Sequence, residues 1–522
     1  MKKYFLLLSS ILALNSLPFS APVFSQKAPC TCPDEFEFLK SYIEKNHAAF
    51  GDNVNISNQK EYDEFVESVS KEIQGDPVED HCIIYLKKYL AYFKDNHTQI
   101  HDMGYQVDEN NEEALKQFFA STRFQHRERI ELDLPAIEAY LNSENAAPME
   151  GIYETQDGTY TVAVLKDQND FRDFYGIILD SKTKIWEPGQ VKFELKALGE
   201  NRFQGYFYYK FYGLNDEEVR FDGNQLGTWI KKEAIIEEHP PFDSEFSQEQ
   251  KLFEFKLLYD DLGYLSIKTF EGYFKSQLDS LFLAHEQELG SVSKLIIDVR
   301  GNGGGSDALL APFIPMFYTD TLRTELPQLY ATKDNLKTYA EFFEQIKSDS
   351  ARYGKATIDH LRKLIKKMEA GEEGEYVNMF DSIEELGETM ETDFGSQQFV
   401  LTNSMSEDNR YRLTYYNQEK PLPLNPEKIV LLMDRGCAST CENLILLANQ
   451  SKKVITYGEN SGGYKGYGNV FPIMTPMGYQ LSMSTTRYEK ESQYEFVGIP
   501  PMVSAEANEE WIARAIELLE SK

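Results

Sequence analysis

The stretch KIVLLMDRGCASTCENLILLAN, residues 428–449, joins an apolar run to a turn of small residues and then to a second apolar stretch. The near-continuous apolar run is typical of a buried strand in a parallel sheet, and the stretch after the turn predicts a helix. Ser439 therefore lies where a strand passes into a helix. A junction of this kind can expose a hydroxyl group and aim backbone N–H groups at one point.

A second segment with the same pattern lies upstream, at residues 294–310, and reads KLIIDVRGNGGGSDALL. Its apolar strand ends in Arg300 and is followed by four glycines within five residues. A serine attacks a carbonyl only with a base to take its proton and donors to hold the oxyanion. The N–H of Thr440 and those of Gly303 and Gly304 are candidate donors. The two segments together predict acyl-transfer chemistry with Ser439 as the nucleophile.

Both segments also have simpler interpretations. Ser439-x-x-Glu442 fits a capping box, in which the two side chains satisfy the first N–H groups of a helix. The glycine loop lacks the third glycine of a dinucleotide fingerprint, because position 306 is Ser, and it lacks the Gly-Lys-Ser/Thr of a phosphate-binding loop. A purely structural glycine turn stays open as an alternative.

The chain has 522 residues, which predicts several domains. Its 53 Lys and Arg against 85 Asp and Glu give a formal charge of −32. A field of this sign repels phosphate backbones and anionic membrane surfaces. We therefore expect neither a nucleic acid partner nor membrane insertion.

The N-terminus predicts a secretory signal peptide over residues 1–25. Lys2 and Lys3 precede a short apolar segment, and cleavage is expected between Ala21 and Gln26. Cys30 lacks the small-residue context of a lipidated cysteine, so no lipid anchor is expected. The mature protein is predicted to be exported, to the periplasm or beyond the cell.

Five cysteines remain in the mature chain, where export permits disulfides. Cys82 is expected to pair with Cys30 or Cys32. Cys437 and Cys441 flank Ser439 and are either a local bridge or two buried thiols. Only Cys30 and Cys32 are close enough to suggest zinc, which needs four ligands, so no metal site is expected.

Three regions follow the signal peptide. Residues 30–145 carry apolar residues at three- and four-residue spacing, over 34–103 and 112–142, and predict a helical domain. Residues 148–234 are short aromatic and β-branched runs separated by turns, which predict a small antiparallel β domain. In residues 246–522 strands and helices alternate, as in an α/β fold, and charged helical sequence at about 325–395 is interpreted as a helical insertion.

Five motifs of the α/β region occur in a characteristic order: LGYLSIKTF, LIIDVRGNGGG, CASTCENL, YGENSGGYKGYG and YEFVGIPP. In this order the chain resembles the C-terminal processing (tail-specific) peptidases and the catalytic core of tricorn protease. The resemblance covers about 250–505 discontinuously. It implies a crotonase- and ClpP-like β/α superhelix, and it makes Ser439 the nucleophile.

The branches of this family differ in the base. Tail-specific peptidases use a lysine that would correspond to Lys465, although Lys465 lies one place late in its motif. The tricorn-like branch uses a histidine from an N-terminal Asp-Gly-His-Thr motif, which Asp95-Asn96-His97-Thr98 matches with Asn in place of Gly. That branch also uses a glutamate that maps to Glu495, although Met502 replaces the Asp expected after Pro501. We favour His97, because a neutral imidazole is a ready base near pH 7.

The sequence therefore predicts an exported serine endopeptidase that acts on peptides or proteins and needs no metal or organic cofactor. Ser439 attacks, His97 is the base with Lys465 as its alternative, and Glu495 orients the network. No PDZ module is recognisable between the helical region and the core, so substrate capture by recognition of a C-terminal tail is left open. Two rivals remain: a binding protein that keeps the fold without catalysis, and a hydrolase of small esters or amides.

Overall fold

The computed structural model describes most of the chain from Cys30 onward. It covers residues 30–379, 393–394, 397–405, 411–415 and 426–521, apart from 105, 168–170, 233–250, 311, 320, 321, 326, 349 and 508. The predicted signal peptide and the end of the β domain at 233–234 lie outside these residues. No helix of the described part is long and apolar enough to cross a bilayer.

Helices occupy the N-terminal region, the insertion and the flanks of the α/β core. They are α1 (Cys32–Asn46), α2 (Phe50–Asn53), α3 (Gln59–Gly75), α4 (Cys82–Ala91), α5 (Glu112–Phe119), α6 (Thr122–Gln125), α7 (Leu134–Leu141), α8 (Lys275–Ala284), α9 (Glu286–Ser291), α10 (Phe313–Phe317), α11 (Lys333–Ser348), α12 (Ser350–Ala370), α13 (Thr440–Ala448) and α14 (Trp511–Glu520).

The strands of the described residues form four sheets. They are β1 (Gln99–His101), β2 (Gly151–Thr155), β3 (Tyr160–Lys166), β4 (Phe174–Ser181), β5 (Val191–Gly199), β6 (Arg202–Tyr208), β7 (Leu214–Arg220), β8 (Gln225–Leu226), β9 (Trp229–Lys231), β10 (Phe253–Tyr259), β11 (Leu262–Ile267), β12 (Lys294–Asp298), β13 (Leu322–Thr324), β14 (Gln328–Ala331), β15 (Glu375–Asn378), β16 (Asp393–Phe394), β17 (Gln397–Met405), β18 (Tyr411–Tyr415), β19 (Lys428–Met433), β20 (Val454–Gly458), β21 (Tyr467–Met474), β22 (Gln480–Arg487) and β23 (Val503–Ser504).

The N-terminal helices and the β domain share one hydrophobic core. The β domain is an eight-stranded antiparallel sheet in the order β7-β6-β5-β4-β3-β2-β9-β8. Its inward side chains, such as Phe193 and Trp229, join the same buried cluster as Leu39 and Tyr89 of the helices. A disulfide between Cys32 and Cys82 ties the start of α1 to the start of α4, so the pairing left open between Cys30 and Cys32 involves Cys32.

The α/β core is a six-stranded sheet in the order β10-β11-β12-β19-β20-β23. All neighbours from β11 to β23 are parallel, and β10 is an antiparallel edge. Five of the six residues of β19 are buried because both faces of the sheet are covered, which explains the continuous apolar run. Strands β12 and β19 are adjacent and parallel, with Asp298 opposite Leu432. Their carboxyl ends therefore lie side by side, and so do the glycine loop and the turn at Ser439.

A second sheet connects the N-terminal region to the core. Strand β1, within the stretch predicted to be helical over 34–103, pairs antiparallel with β22, so that prediction is wrong at 99–101. The strand order of this sheet is β1-β22-β14-β15, and β21 also pairs with β22. Local apolar spacing could not reveal β1, because its conformation is set by a partner about 380 residues away in the sequence.

The insertion at about 325–395 is only partly helical, which corrects its predicted character. Helices α11 and α12 form a hairpin, but β14 and β15 of the same segment join the second sheet. A further four-stranded sheet has the order β13-β18-β17-β16. The predicted fold class, an α/β core with a helical N-terminal region and an antiparallel β sheet, is confirmed.

Candidate active site

Ser439 lies in the turn between β19 and α13, immediately before the first helical residue, Thr440. Its backbone has φ of 55° and ψ of −118°, a conformation that costs a non-glycine residue about 1–3 kcal/mol. Such strain persists only where neighbouring contacts fix the backbone. At Ser439 these contacts come from the glycine loop and from Glu442.

The glycine loop packs directly against this turn. Gly304 has φ of 92°, and a Cβ atom there would lie 2.4 Å from the carbonyl oxygen of Ala438 and 2.9 Å from Cβ of Ser439. Asn302, fully buried, accepts the N–H of Ala438 on its carbonyl oxygen at 3.0 Å. Only glycine fits at position 304, because any side chain would displace the turn at Ser439.

The hydrogen bonds of the glycine loop distinguish among the three N–H groups predicted to bind the oxyanion. The N–H of Gly304 donates to the side-chain oxygen of Asn302 at 2.9 Å, so it is committed to holding the loop. Gly303 is exposed, and Thr440 occupies the first helical position, where an N–H has no acceptor within the helix. Gly303 and Thr440 therefore remain the candidate donors.

Glu442 joins the turn at Ser439 to the glycine-rich loop of residues 461–466. Its carboxylate accepts the N–H of Ser439 at 3.0 Å, the hydroxyl of Ser461 at 2.5 Å, and the N–H groups of Gly463 and Tyr464 at 2.9 and 2.8 Å. Burial raises the pKa of this carboxyl group, although the four hydrogen bonds oppose that shift. The residue predicted as half of a capping box thus fixes a second loop as well.

His97 lies in the loop between α4 and β1, and Asp95 shapes this loop from within. One oxygen of Asp95 accepts the N–H of His97 at 2.9 Å, and the other accepts the hydroxyl of Thr98 at 2.5 Å and bonds Nε2 of His47 at 2.8 Å. The Thr98 hydroxyl in turn accepts the N–H of Ser484 in β22 at 3.0 Å. The loop is therefore anchored both to the end of α1 and to the second sheet.

The imidazole of His97 is held in a low-polarity environment. Burial lowers the pKa of His97, and the Lys465 ammonium lowers it further, whereas the Asp95 carboxylate opposes both. The ring meets Tyr464 edge to face, with 5.3 Å between ring centroids. A histidine in this setting is neutral at pH 7 and is able to accept a proton.

Glu495 acts on the backbone of both neighbouring loops. Its two oxygens accept the N–H of Asn96 at 2.9 Å and the N–H of Gly466 at 2.5 Å. Asn96 completes the link by donating its side-chain amide to the carbonyl oxygen of Gly463 at 2.7 Å. Burial, with the nearby charges of Asp95 and Glu442, raises the pKa of Glu495 to about 8 against these hydrogen bonds. Glu495 is thus a positioning residue that holds the segments before His97 and after Lys465.

Lys465 is 2% exposed and is bound on two sides. Its ammonium forms an ion pair with Glu491 and lies 3.4 Å from the ring centroid of Tyr488. The amine that the lysine branch would use as its base is thus engaged by Glu491 and Tyr488, and we continue to favour His97.

A small cavity of about 30 Å³ brings the predicted residues together. It is lined by Ser439, His97, Thr440 and Lys465. Gly303, Gly304 and Glu495 are not among its lining residues, and hydrogen bonds of Gly304 and Glu495 hold the neighbouring loops. The sequence signals for Ser439, His97 and Glu495 therefore led to one place in the fold.

Some residues that build the site were missed by the sequence analysis. His47, fully buried at the end of α1, and Glu491 have no local motif that indicates a role. Asp95 belongs to the motif around His97, but the motif indicates no role for it. Each acts across a loop junction, and such contacts leave no periodic or spaced pattern in the sequence.

A comparison with models of protein families identifies the family of the core. Residues 261–504 match the model of peptidase family S41. The core is a peptidase family S41 domain. The match spans the glycine loop, Ser439 and Glu495, whereas His97 lies outside it. Since family S41 peptidases are serine peptidases, the predicted class of serine peptidase is confirmed.

Solved structures similar to this chain have low sequence identity. Mature CPAF complexed with lactacystin is 12% identical over 91% of this chain and 93% of that chain, with a TM-score of 0.42. The photosystem II D1 C-terminal processing protease is 11% identical over 91% and 93%, with a TM-score of 0.33. Tricorn protease is 13% identical over 93% of this chain but 37% of its own length, with a TM-score of 0.33. No curated protein matches the sequence.

Proposed function

We propose that the protein is an exported serine endopeptidase that hydrolyses peptide bonds through an acyl-enzyme on Ser439. The observation that carries this proposal is that Ser439 and His97, 342 positions apart, line one cavity beside the first N–H of α13. The match of the core to peptidase family S41 supports the same reaction.

In the proposed acylation step, Oγ of Ser439 attacks the peptide carbonyl carbon while the imidazole of His97 takes its proton. The carbonyl oxygen becomes an oxyanion, which the N–H groups of Gly303 and Thr440 stabilise. Donors already fixed at the site of developing charge contribute about 3–4 kcal/mol each in comparable sites. Collapse of the intermediate breaks the C–N bond, and the imidazolium gives its proton to the leaving amine.

Deacylation reverses the roles. Water enters the place of the amine, His97 removes its proton, and the hydroxide attacks the acyl carbon. The returning proton restores the hydroxyl of Ser439 as the acid product leaves. The raised pKa of Glu495 does not enter these steps, because Glu495 bonds backbone N–H groups and acts through the position of His97.

Export is supported by the chemistry of the N-terminal region. The predicted signal peptide at residues 1–25 lies outside the described residues, but the Cys32–Cys82 disulfide favours an oxidising compartment. Cys437 and Cys441 are buried free thiols, so the alternative of a local bridge beside Ser439 does not apply.

Labelling with a fluorophosphonate tests the nucleophile. We expect the full mature chain to be labelled, and we expect Ser439→Ala to remove the label while the circular dichroism spectrum stays unchanged. A correctly folded wild-type protein that stays unlabelled would favour the rival, a binding protein on this fold.

A peptide-library digest then separates a peptidase from a hydrolase of small esters or amides. Cleavage within peptides, rather than at their ends, is the result expected of an endopeptidase. Turnover of small esters without cleavage of any peptide would contradict the proposal while leaving Ser439 as the nucleophile.

A further inference from the structure

A second, larger cleft lies next to the His97 loop and has no part in the proposed chemistry. It has a volume of about 270 Å³ and lies between the end of α4, strand β1 and Phe496. Asp95, Asn96 and Thr98, the neighbours of His97, line it. The cleft and the Ser439 cavity thus lie on the same short segment of chain.

The cleft runs along the edge of β1. Four consecutive residues, 98–101, line it. Successive side chains of a strand point to opposite faces, so a cleft that touches all four follows the backbone at one edge of the strand. The other edge of β1 pairs with β22, and no strand of the described residues pairs with this one.

An unpaired strand edge presents N–H and C=O groups of alternate residues to any extended chain beside it. Strand β1 has three residues, which at a rise of about 3.3 Å per residue offers about 10 Å of edge. That length suits three residues of an extended peptide.

Apolar side chains from outside β1 also line the cleft. Leu90 and Ala91 contribute from α4, and Phe496 is 50% exposed although it is aromatic. Its φ of 63° is unusual for phenylalanine, and its N–H donates to the carbonyl oxygen of Gly463 at 3.0 Å. The strained backbone thus holds an exposed ring at the mouth of the cleft, next to the loop that Glu442 fixes.

We propose that this cleft is a substrate subsite, in which an extended peptide segment adds as a strand to β1 and places an apolar side chain against Phe496. This inference rests on the proposed function, because the occupant is the peptide whose scissile bond lies at Ser439. Continuity with the catalytic segment selects a substrate over other occupants, since a peptide bound along residues 98–101 leads directly to His97. Binding by main-chain hydrogen bonds gives affinity, and the apolar wall gives preference for particular side chains.

Binding to the inactive Ser439→Ala protein tests the subsite without depending on turnover. A peptide is selected from a random library by its affinity for the full mature Ser439→Ala chain, and each of its backbone nitrogens is then methylated in turn. We expect the dissociation constant to rise about tenfold at alternate positions and little at those between them, because only alternate N–H groups of an added strand face β1. Losses without alternation, or a library that yields no peptide, would overturn the proposal.

Phe496→Asn provides the second measurement, with Val497→Asn as its matched control. Asparagine tolerates a positive φ, so the backbone at 496 is kept while the ring is removed. Val497 is also exposed but does not line the cleft. We expect Phe496→Asn to weaken binding about tenfold for a peptide with a large apolar residue at the matching position, and not for its glycine analogue. Equal effects of the two substitutions would overturn the assignment of Phe496.

Two further results distinguish this proposal from the proposed function and from binding of a second copy of the chain. Fluorophosphonate labelling of the wild type reports on the proposed function alone, so labelling with no alternation in the methylated series would reject only the subsite. A dimer in sedimentation velocity that Phe496→Asn dissociates would show that a second copy occupies the cleft, which would also overturn it.

Discussion

The proposed nucleophile, Ser439, and the proposed base, His97, are held in two different ways. Ser439 lies in a contiguous strand–turn–helix segment, and the neighbouring glycine loop packs against it because β12 and β19 are adjacent. His97 lies in a loop whose supports come from α1, β22 and Glu495. Local sequence thus specifies the position of Ser439, whereas distant contacts specify that of His97. Substitutions near Ser439 and near His97 should therefore affect activity for different physical reasons.

The largest effect on the His97 side is expected from the base itself. We expect His97→Ala to lower kcat/KM by about 10²- to 10⁴-fold, because general base catalysis contributes that much. The double variant Lys465→Met with Glu491→Leu, which removes the buried ion pair as a unit, should cost far less. The reverse order in a peptide-cleavage assay would make Lys465 the base.

On the Ser439 side, Gly304→Ala is expected to have the next largest effect. A Cβ atom at position 304 would lie 2.4 Å from the carbonyl oxygen of Ala438, so the turn must move. A displacement of about 1 Å costs roughly 10²-fold in rate, and the rate of fluorophosphonate labelling measures it directly. Gly303→Ala, where a Cβ atom meets nothing within 4 Å, is the matched control; equal losses would mean that packing behind Ser439 is not what matters.

Glu495→Gln weakens the link between the two loops. The amide of glutamine offers one acceptor where the carboxyl group accepts two N–H groups. We expect kcat/KM to fall about tenfold, because Glu495 holds Asn96, which precedes His97 and also lines the proposed substrate cleft.

The same variant has a consequence for stability. The pKa of Glu495 is about 8 in the folded protein and near 4.5 when unfolded, so its stabilising contribution is present below pH 4.5 and is lost as the pH rises through 8. We expect the wild type to lose more unfolding free energy between pH 5 and 8 than Glu495→Gln, as measured by urea denaturation. Parallel pH dependences would contradict the burial argument.

Asp95→Asn tests the electrostatic part of the His97 loop. The Asp95 carboxylate opposes the lowering of the His97 pKa by burial and by Lys465. Removing its charge should therefore lower that pKa further, so the acid limb of the kcat/KM profile moves to lower pH. Asp307→Asn, in the wall of the cavity that His97 lines, should leave the limb in place. A limb that stays fixed in Asp95→Asn would mean that another group titrates there.

The smallest effect on activity is expected from the disulfide. Cys32→Ser with Cys82→Ser opens a link spanning 50 residues, for which loop entropy predicts a loss of about 4 kcal/mol in unfolding free energy. At a temperature where the variant remains folded, kcat/KM should change by less than about threefold, because the hydrogen bonds around Asp95 persist. A loss as large as that of Glu495→Gln would show that the helices alone do not hold the His97 loop.

The sequence was informative where function is encoded in contiguous residues. The apolar run before Ser439 and the apolar run before the glycine loop predicted two core strands and the turn, and the α/β class followed; their adjacency came from the structure. The insertion was misjudged because its helices have strong local periodicity while β14 and β15 depend on pairing with other segments. Strand β1 was missed for the same reason.

The sequence by itself determined the α/β core, the position of Ser439 after a buried strand, and the family resemblance that selected His97 and Glu495. Only the tertiary structure decided that Lys465 is paired with Glu491, that Gly304 commits its N–H to Asn302, and that Glu495 bonds backbone rather than the imidazole ring. The physical reason is the sequence distance over which each kind of interaction acts. Apolar periodicity and turn chemistry act over a few residues, whereas a buried side chain is neutral, charged or committed according to partners that the fold brings from hundreds of positions away.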